Sequence, residues 1–380
     1  MVSDISSVTN QPDMVASEVA RDDPVDVAVV VVLYEGADFI ADTLRSCQRY
    51  ASGAPLYVVD NASTDGGAEL VSRCFPDCHV LYQERNLGFA AGNNVGMRTA
   101  LADGARHVFL LNQDAELLPD TLRLLRDFLD AHPIAAAVQP AIRRDDGLVN
   151  SLGNPLHFLG FSAAGGNGLT VEEATRDPAL SWLRSANLRE GVEVPVCSGA
   201  AVMFRGTAVR TVGPFMEELF LYHEDVELSL RFRANAWTVW LLPTAHVVHH
   251  YEFNRSIRKW YFMERNRLLV LLTHMRLRTL ALFALPLLMA ELLVWLLAVR
   301  EGFTVEKLKT YRYFLSPTNL SRLRRRRAEL TRTRRKTDRD VLAPAIGRFP
   351  TVDPSLAGLS RPLNAGGEML WRLLYRCIRW

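Results

Sequence analysis

Apolar residues near the start of the chain fall into two alternating patterns. Unbroken apolar runs at Val27-Ala28-Val29-Val30-Val31-Val32-Leu33, Leu56 to Asp60, Val80-Leu81-Tyr82 and His107 to Leu111 read as strands buried on both faces. Between them the spacing turns helical: Phe39, Ile40, Leu44 and Cys47 share one face of a helix over Asp38 to Tyr50. Further helices are expected from Gly67 to about Cys74, over Gly88 to Ala100 where small residues dominate, and over Pro119 to Ala131 with proline in the first turn. This alternation predicts an α/β fold with a doubly wound, mainly parallel sheet.

The pattern then loosens. Residues 141 to about 195 carry Gly147, Gly153, Gly160, Gly165, Gly166 and Gly168, and read as a loop-rich insertion with room for one short hairpin. A strand follows over Val194 to Phe204, then a helix from Glu224 carrying Leu228, Leu230 and Phe232, and a short strand over Val239 to Leu242. Leu277 to Val299 is a long apolar stretch flanked by Arg276, Arg278 and Arg300 but interrupted by Pro286 and Glu291. Its length suits a bilayer span, whereas a carboxylate near the middle of a lone span is costly. A span, an interfacial or re-entrant helix and a buried soluble helix all stay open. Basic and aromatic residues interleave from Trp371 to Trp380, as in an interfacial helix. The chain thus divides into a disordered lead-in over 1–26, an α/β domain over 27–270, an apolar membrane-associated helix over 271–300, and a basic C-terminal region over 301–380 with an amphipathic tail.

Charge changes this picture locally. The net charge of +2 over 380 residues is unremarkable, but Asp4, Asp13, Glu18, Asp22, Asp23 and Asp26 crowd the first residues and Arg324 to Arg327 lead a basic run to Lys336. Such a run favours anionic lipid head groups, and with no recognised nucleic-acid module beside it no nucleic-acid partner is expected. Five scattered cysteines fit a reducing compartment better than a disulfide framework. Cys74-x3-Cys78-His79 is at most half a zinc site. The start of the chain lacks a basic segment followed by an apolar one, so the catalytic part is expected in the cytoplasm.

Acidic residues mark the candidate chemistry. Asp60 and Asp114 each follow a buried strand, which puts them at the carboxyl edge of an open α/β sheet, where ligands bind. Asp60-Asn61-Ala62-Ser63-Thr64-Asp65 also suits a turn and helix cap. Asp114 could cap a helix, or with Asn112 supply oxygen ligands to a divalent cation on a diphosphate, which takes only one or two protein carboxylates. Glu224 and Asp225 open a helix, where the dipole favours anions, and could hold a general base. His246, His249 and His250 follow the last strand. Gly88, Gly92 and Gly96 with Asn93 and Asn94 allow close backbone approach, but the dinucleotide fingerprint would follow the first strand and is not there.

In order, Asp60 after its strand, Asn86-Leu87-Gly88-Phe89 with Gly92-Asn93, Leu111-Asn112-Gln113-Asp114, Ser198-Gly199-Ala200, Glu224-Asp225 and His249 resemble the family 2 inverting glycosyltransferases. More narrowly they resemble the bacterial rhamnosyltransferase-like branch, over about residues 27 to 270. Arg265-Asn266-Arg267 matches a pattern that precedes that branch's membrane-associated part. The resemblance implies a glycosyltransferase A-type fold with a C-terminal helical membrane-associated region. It places Asp60 on the nucleotide base or ribose, with Asn61, Asn86, Gly92, Asn93 and Asn112 also in the donor site. Asp114 and His249 would serve a Mg²⁺ or Mn²⁺ ion, with His250 the less favoured neighbour. Asp225 would be the catalytic base and Glu224 its support. The implied donor is dTDP-L-rhamnose, ahead of UDP- and GDP-sugars, and the acceptor a saccharide or polyprenyl-diphosphate-linked saccharide of the bacterial cell envelope. The implied setting is the cytoplasmic face of the inner membrane, peripheral or anchored by 277–299, with a homodimer as one assembly state. Two departures stand out: Asn112 replaces the first acid of D-x-D, and the first strand ends in Leu33-Tyr34-Glu35 rather than Thr/Ser-Tyr/His-Asn. A silent glycosyltransferase-like scaffold and a nucleotidyltransferase are the rival readings.

Overall fold

The computed structural model describes residues 27–51, 53–184, 189–250, 258–349 and 357–380. The expected lead-in over 1–26 lies outside them. Strands β1 (Val27–Leu33), β2 (Leu56–Asp60), β3 (His79–Tyr82) and β4 (His107–Leu111) alternate with helices α1 (Ala37–Tyr50), α2 (Gly67–Cys74) and α3 (Gly88–Ala102). They pair in parallel in the order β3-β2-β1-β4. Six of the seven residues of β1 are buried, and each fully buried valine contributes about 1.5–3 kcal/mol relative to exposure. Helix α3 lies close on β1 because Gly92 and Gly96 face it. A Cβ at Gly92 would stand 3.0 Å from Val32, and one at Gly96 would overlap Val30.

Beyond β4 the chain runs through β5 (Ala115–Leu117), α4 (Thr121–Ala131), β6 (Ala135–Arg143) and β7 (Val149–Ser151). Helix α4 starts two residues later than expected, because Pro119 belongs to the preceding turn and Asp120 there takes a positive φ of 62°. The insertion folds β7 back on β6 and adds the short helix α5 (Val171–Arg176), then β8 (Val192–Glu193), β9 (Ala201–Arg205), α6 (Gly206–Val212), α7 (Glu224–Ala234) and β10 (Thr238–His249).

Three expectations need correction. The sheet is mixed: β9 lies antiparallel between β4 and β6, while β10 runs parallel to β6 and antiparallel to β5. The cause is topological, since the chain re-enters β9 from the carboxyl edge of β4, where the amide of Asn112 donates to Ala200 O, and can only run back down. The strand expected over Val194 to Phe204 shrinks to β9, because the Ser198-Gly199 turn breaks it. The strand expected to end at Leu242 continues to His249. Its register shifts between Leu242 and His246, a bulge that accommodates Pro243.

The rest is helical: α8 (Lys259–His274), α9 (Leu277–Leu282), α10 (Ala284–Glu301), α11 (Thr304–Leu315), α12 (Pro317–Thr333), α13 (Asp338–Val341) and α14 (Ala357–Cys377). The apolar stretch 277–299 is therefore two helices. The break at Phe283 falls where Pro286 can neither donate to Leu282 nor avoid its carbonyl. No helix among the described residues is long and apolar enough to cross a membrane, so the spanning form of that expectation is set aside. The tail packs against the rest of the helical part. Trp371 stacks on Phe158 at 5.1 Å and its Nε1 donates to Ala345 O, while Trp380 Nε1 donates to Thr279.

Candidate active site

Strand pairing does most of the assembly at the carboxyl edge of the sheet. Asn112 and Asp114 follow β4, and β5 then pairs antiparallel with β10, His249 facing Ala115. That register sets His249 Nε2 3.1 Å from Asp114 Oδ1 and 3.3 Å from the amide nitrogen of Asn112. The other ring nitrogen, Nδ1, lies 3.2 Å from Asn150 Oδ1. With Nδ1 at an amide oxygen, Nε2 is the nitrogen turned toward the carboxylate. A carboxylate oxygen and an imidazole nitrogen converging at 3.1 Å make a fitting place for a cation. The donor set, one carboxylate and one imidazole, suits Mn²⁺ or Mg²⁺ whose remaining positions go to phosphate oxygens and water. It is a pair and not a cage: among the described residues no group of three or more His, Cys, Asp or Glu side chains could hold a metal. His250 is engaged elsewhere, with Nε2 2.7 Å from Glu116 and Nδ1 2.7 Å from Asp145. Burial works against its positive charge, but these two acids hold its pKa above the ordinary value.

Glu224 and Asp225 open α7 beside this pair. Asp225 Oδ1 accepts from the Val226 amide at 2.7 Å, and Oδ2 faces the Gly199 amide at 3.4 Å and Asn154 Nδ2 at 3.5 Å. Burial raises its pKa to about 6 despite those contacts. Glu224 is more deeply buried, and burial together with the Asp225 charge pushes its pKa well up. Its Oε2 has no hydrogen-bond partner among the described residues. Asp225 therefore ionises near neutrality, as a general base should, while its neighbour resists ionisation. The turn at Gly199-Ala200 joins the two clusters. Its Gly199 amide faces Asp225, and its Ala200 carbonyl accepts from the Asn112 amide.

The nucleotide-side residues divide by what they hold. Asp60 Oδ1 accepts from Ser63 N at 3.1 Å, leaving Oδ2 without a partner among the described residues. Asn61 is buried with both ends occupied: Nδ2 donates to Gly88 O at 3.0 Å and Oδ1 accepts from Leu87 N at 3.3 Å. Asn86 Oδ1 accepts from Gly88 N, and Asn93 Nδ2 donates to Phe89 O. Asn61, Asn86 and Asn93 thus shape the turn into α3. Gly88 has a φ of 80°, and a Cβ there would meet the Phe220 ring at 2.5 Å. Glu35, in the loop that departs from the family pattern, accepts from Thr64 N and Oγ1 and ties that loop to the turn after β2.

Gln113, Asn150 and Asn154 were given no role from sequence, and Arg265 and Asn266 were quoted only as part of a motif. Gln113, the middle residue of Asn112-Gln113-Asp114, binds the backbone of Tyr34 at both N and O. Asn150 and Asn154 come from the glycine-rich insertion and hold His249 and Asp225 respectively. Asn266 is buried, and its amide nitrogen reaches the carbonyls of Leu219, Leu221 and Tyr222 at 2.6–2.9 Å. Arg265 adds bonds to Glu218 O and Leu219 O. This clamp holds a strained approach to α7, since Phe220, Tyr222 and His223 all have positive φ, from 63° to 67°. The polar triplet in the middle of α8 was the available signal, but the partners of Asn266 lie more than 40 residues away.

Comparisons with known proteins agree with this architecture. The profile described as Glycosyl transferase family 2 matches residues 28–213. The chain is 30% identical over 234 residues to the N-acetylglucosaminyl-diphospho-decaprenol L-rhamnosyltransferase of Mycobacterium tuberculosis, covering 58% of this chain and 75% of that protein. It is 23% identical over 171 residues to the dTDP-rhamnosyl transferase RfbF of Shigella flexneri, covering 45% of this chain and 51% of that one. Among solved structures, GalNAc-T7 with UDP, GalNAc and Mn²⁺ superposes with a TM-score of 0.52 at 15% identity, over 65% of this chain and 47% of its own. That last likeness concerns the fold alone. With a relative 30% identical over 75% of its length and the profile matching the first part of the α/β domain, the chain belongs to glycosyl transferase family 2.

Proposed function

We propose that the protein is an inverting glycosyltransferase that moves a sugar, L-rhamnose from dTDP-rhamnose, onto a polyprenyl-diphosphate-linked saccharide in bacterial cell-envelope glycan synthesis. The observation that carries the reading is the Gly199-Ala200 turn, which contacts the Asn112-to-Asp114 segment and Asp225 from one short stretch of backbone. A base and a diphosphate site set side by side are what a single displacement at an anomeric carbon requires. Asp225 removes the proton from the acceptor hydroxyl as that oxygen attacks the face opposite the leaving group. Glu224, in its protonated form, adds no second negative charge beside the base. Asp60, through Oδ2, is the group offered to the base or ribose, and Asn61, Asn86, Gly92 and Asn93 shape the backbone around it. Asp114 and His249, with Asn112 alongside, would hold a divalent cation, Mg²⁺ or Mn²⁺, whose charge stabilises the departing diphosphate.

The donor and acceptor follow the relatives, one named for a decaprenol-linked acceptor and one for dTDP-rhamnose. A lipid-linked acceptor fits the outer face of α10, where Leu285, Leu288, Met289, Leu292, Leu296 and Val299 are exposed between Arg278 and Arg300. An apolar helix face with basic flanks lies in a lipid interface, so the protein is assigned to the cytoplasmic face of the inner membrane as a peripheral enzyme. The test is transfer from dTDP-rhamnose, with UDP- and GDP-sugars in parallel, to a polyprenyl-diphosphate-linked saccharide in the presence of Mn²⁺, reading the product anomer by NMR. Inversion from one preferred nucleotide, lost on chelation and restored by Mn²⁺, is expected. A product with retained configuration, or transfer indifferent to chelation, contradicts it.

A further inference from the structure

A cleft of about 500 Å³ opens between the α8–α9 turn and α12. Four guanidinium groups line it, those of Arg276, Arg278, Arg327 and Arg334, with Met275 and Leu277 among the apolar lining. Arg276, Leu277 and Arg278 are exposed, Leu277 by 74%. Arg327 and Arg334 are half-buried and fixed by their backbone partners, Leu272 O for the first and His274 O for the second. Asp338 stands behind them, fully buried, with Oδ1 2.6 Å from Arg334 and Oδ2 accepting from Arg276 N and Thr279 Oγ1; the charge of Asp340 also acts on Arg334, more weakly. Asp338 can balance one of the four charges and Asp340 part of another, so the cleft keeps a net positive charge. Burial holds Arg334 below its usual pKa; Asp338 opposes this and the neighbouring Arg276 adds to it. An anion in the cleft would relieve that repulsion.

We infer that this cleft binds the phosphate of a lipid, with Arg276, Arg278, Arg327 and Arg334 as its ligands and Leu277 against the first apolar part of the molecule. Guanidinium groups suit phosphate because their planar fork donates two parallel hydrogen bonds. The cleft also sits where such a lipid would arrive, since α9 leads from Leu277 directly into the exposed apolar face of α10. It begins at Thr273, seven residues along α8 from Asn266, or about 10 Å of helix from the clamp on the catalytic loop. Two lipids carry the chemistry, an anionic phospholipid of the bilayer and the diphosphate of a polyprenyl-linked acceptor. For the second, the inference rests on the function proposed above.

The test is co-sedimentation of the full chain with vesicles of phosphatidylcholine alone, with added phosphatidylglycerol, or with added undecaprenyl diphosphate. Capture by the doped vesicles, released by inorganic pyrophosphate, is expected. The double variant Arg276→Gln/Arg278→Gln should bind roughly tenfold or more weakly. Arg324→Gln/Arg325→Gln, which removes equal charge from α12 outside the cleft, should lose much less. Loss confined to the undecaprenyl diphosphate arm assigns the acceptor; loss confined to the phosphatidylglycerol arm assigns the bilayer. Equal losses in the two double variants, or capture indifferent to pyrophosphate, overturn the site. Nucleotide-sugar hydrolysis and thermal unfolding should match wild type in both variants. Intact hydrolysis with unchanged vesicle binding removes the cleft alone. Pyrophosphate-sensitive capture by a protein that hydrolyses no nucleotide sugar removes only the glycosyltransferase reading.

Discussion

The sheet and the C-terminal helices invert each other's logic. In the sheet, valines and leucines fill the interior, and the acids of interest sit at its carboxyl edge. In the helical part the interior holds charge: Arg267 pairs with Glu264 and Glu291, and Lys307 with the same two carboxylates at 2.6 and 2.7 Å. Despite burial, Arg267 and Lys307 hold Glu264 down to about pKa 2. Meanwhile the leucines of α10 face outward. The charge network thus lies inside and the apolar face outside. Glu291, which argues against a lone membrane span, is the residue that fastens α10 to α8 and α11. Helix α8 serves both regions, since Arg267 binds the network while Arg265 and Asn266 hold the loop before Glu224 and Asp225.

The sharpest break is on the sheet side. Asp225→Asn should cut transfer about 10²–10⁴-fold while nucleotide-sugar binding, read by calorimetry, stays near wild type. On the helical side, Lys307→Met leaves Glu264 and Glu291 short of positive charge and should lower stability by about 3–5 kcal/mol in chemical denaturation. Asn266→Ala tests the link between the two. It removes the side-chain donor to the carbonyls of Leu221 and Tyr222, while Leu219 O keeps Arg265, and should lower kcat roughly tenfold to a hundredfold through misplacement of Asp225 with little change in nucleotide-sugar affinity.

The pH dependence has a definite sign. Burial raises the folded-state pKa of Asp225 above its ordinary value, so the penalty for ionising it is absent only below about pH 3 and complete above about pH 6. Asp225→Asn should therefore be more stable than wild type at pH 8, by on the order of 1–3 kcal/mol, with the difference vanishing near about pH 3. The rate of transfer in wild type should rise with pH through about 6. The smallest effect is expected on the outer face: Leu288→Ser/Leu292→Ser/Leu296→Ser should change stability in solution by less than about 0.5 kcal/mol per site yet reduce capture by vesicles.

The parallel half of the sheet was legible because short apolar runs and helical periodicity are local signals. The pairing of β5 with β10, which brings Asp114 to His249, was not, since it joins residues 135 positions apart. The positions of Asp60, Asp114, Glu224, Asp225 and His249 could be read from motif order. What surrounds them could not: Asn150 and Asn154 look like loop residues in a glycine-rich stretch, and Asn61 reads as a ligand although both ends of its side chain hold backbone. The stretch 277–299 misleads for a similar reason, because the counter-ions of Glu291 lie on α8 and α11 and no window of sequence contains them.

The most direct test of the central claim compares wild type with Asp225→Asn in one experiment, measuring both transfer from dTDP-rhamnose to a polyprenyl-diphosphate-linked saccharide and protection against thermal unfolding by dTDP-rhamnose with Mn²⁺. The account predicts that the variant keeps the protection and loses the transfer. Wild-type transfer by the variant would contradict the assignment of Asp225 as base, and a folded wild-type protein neither protected by nor transferring from any nucleotide sugar would contradict the function itself.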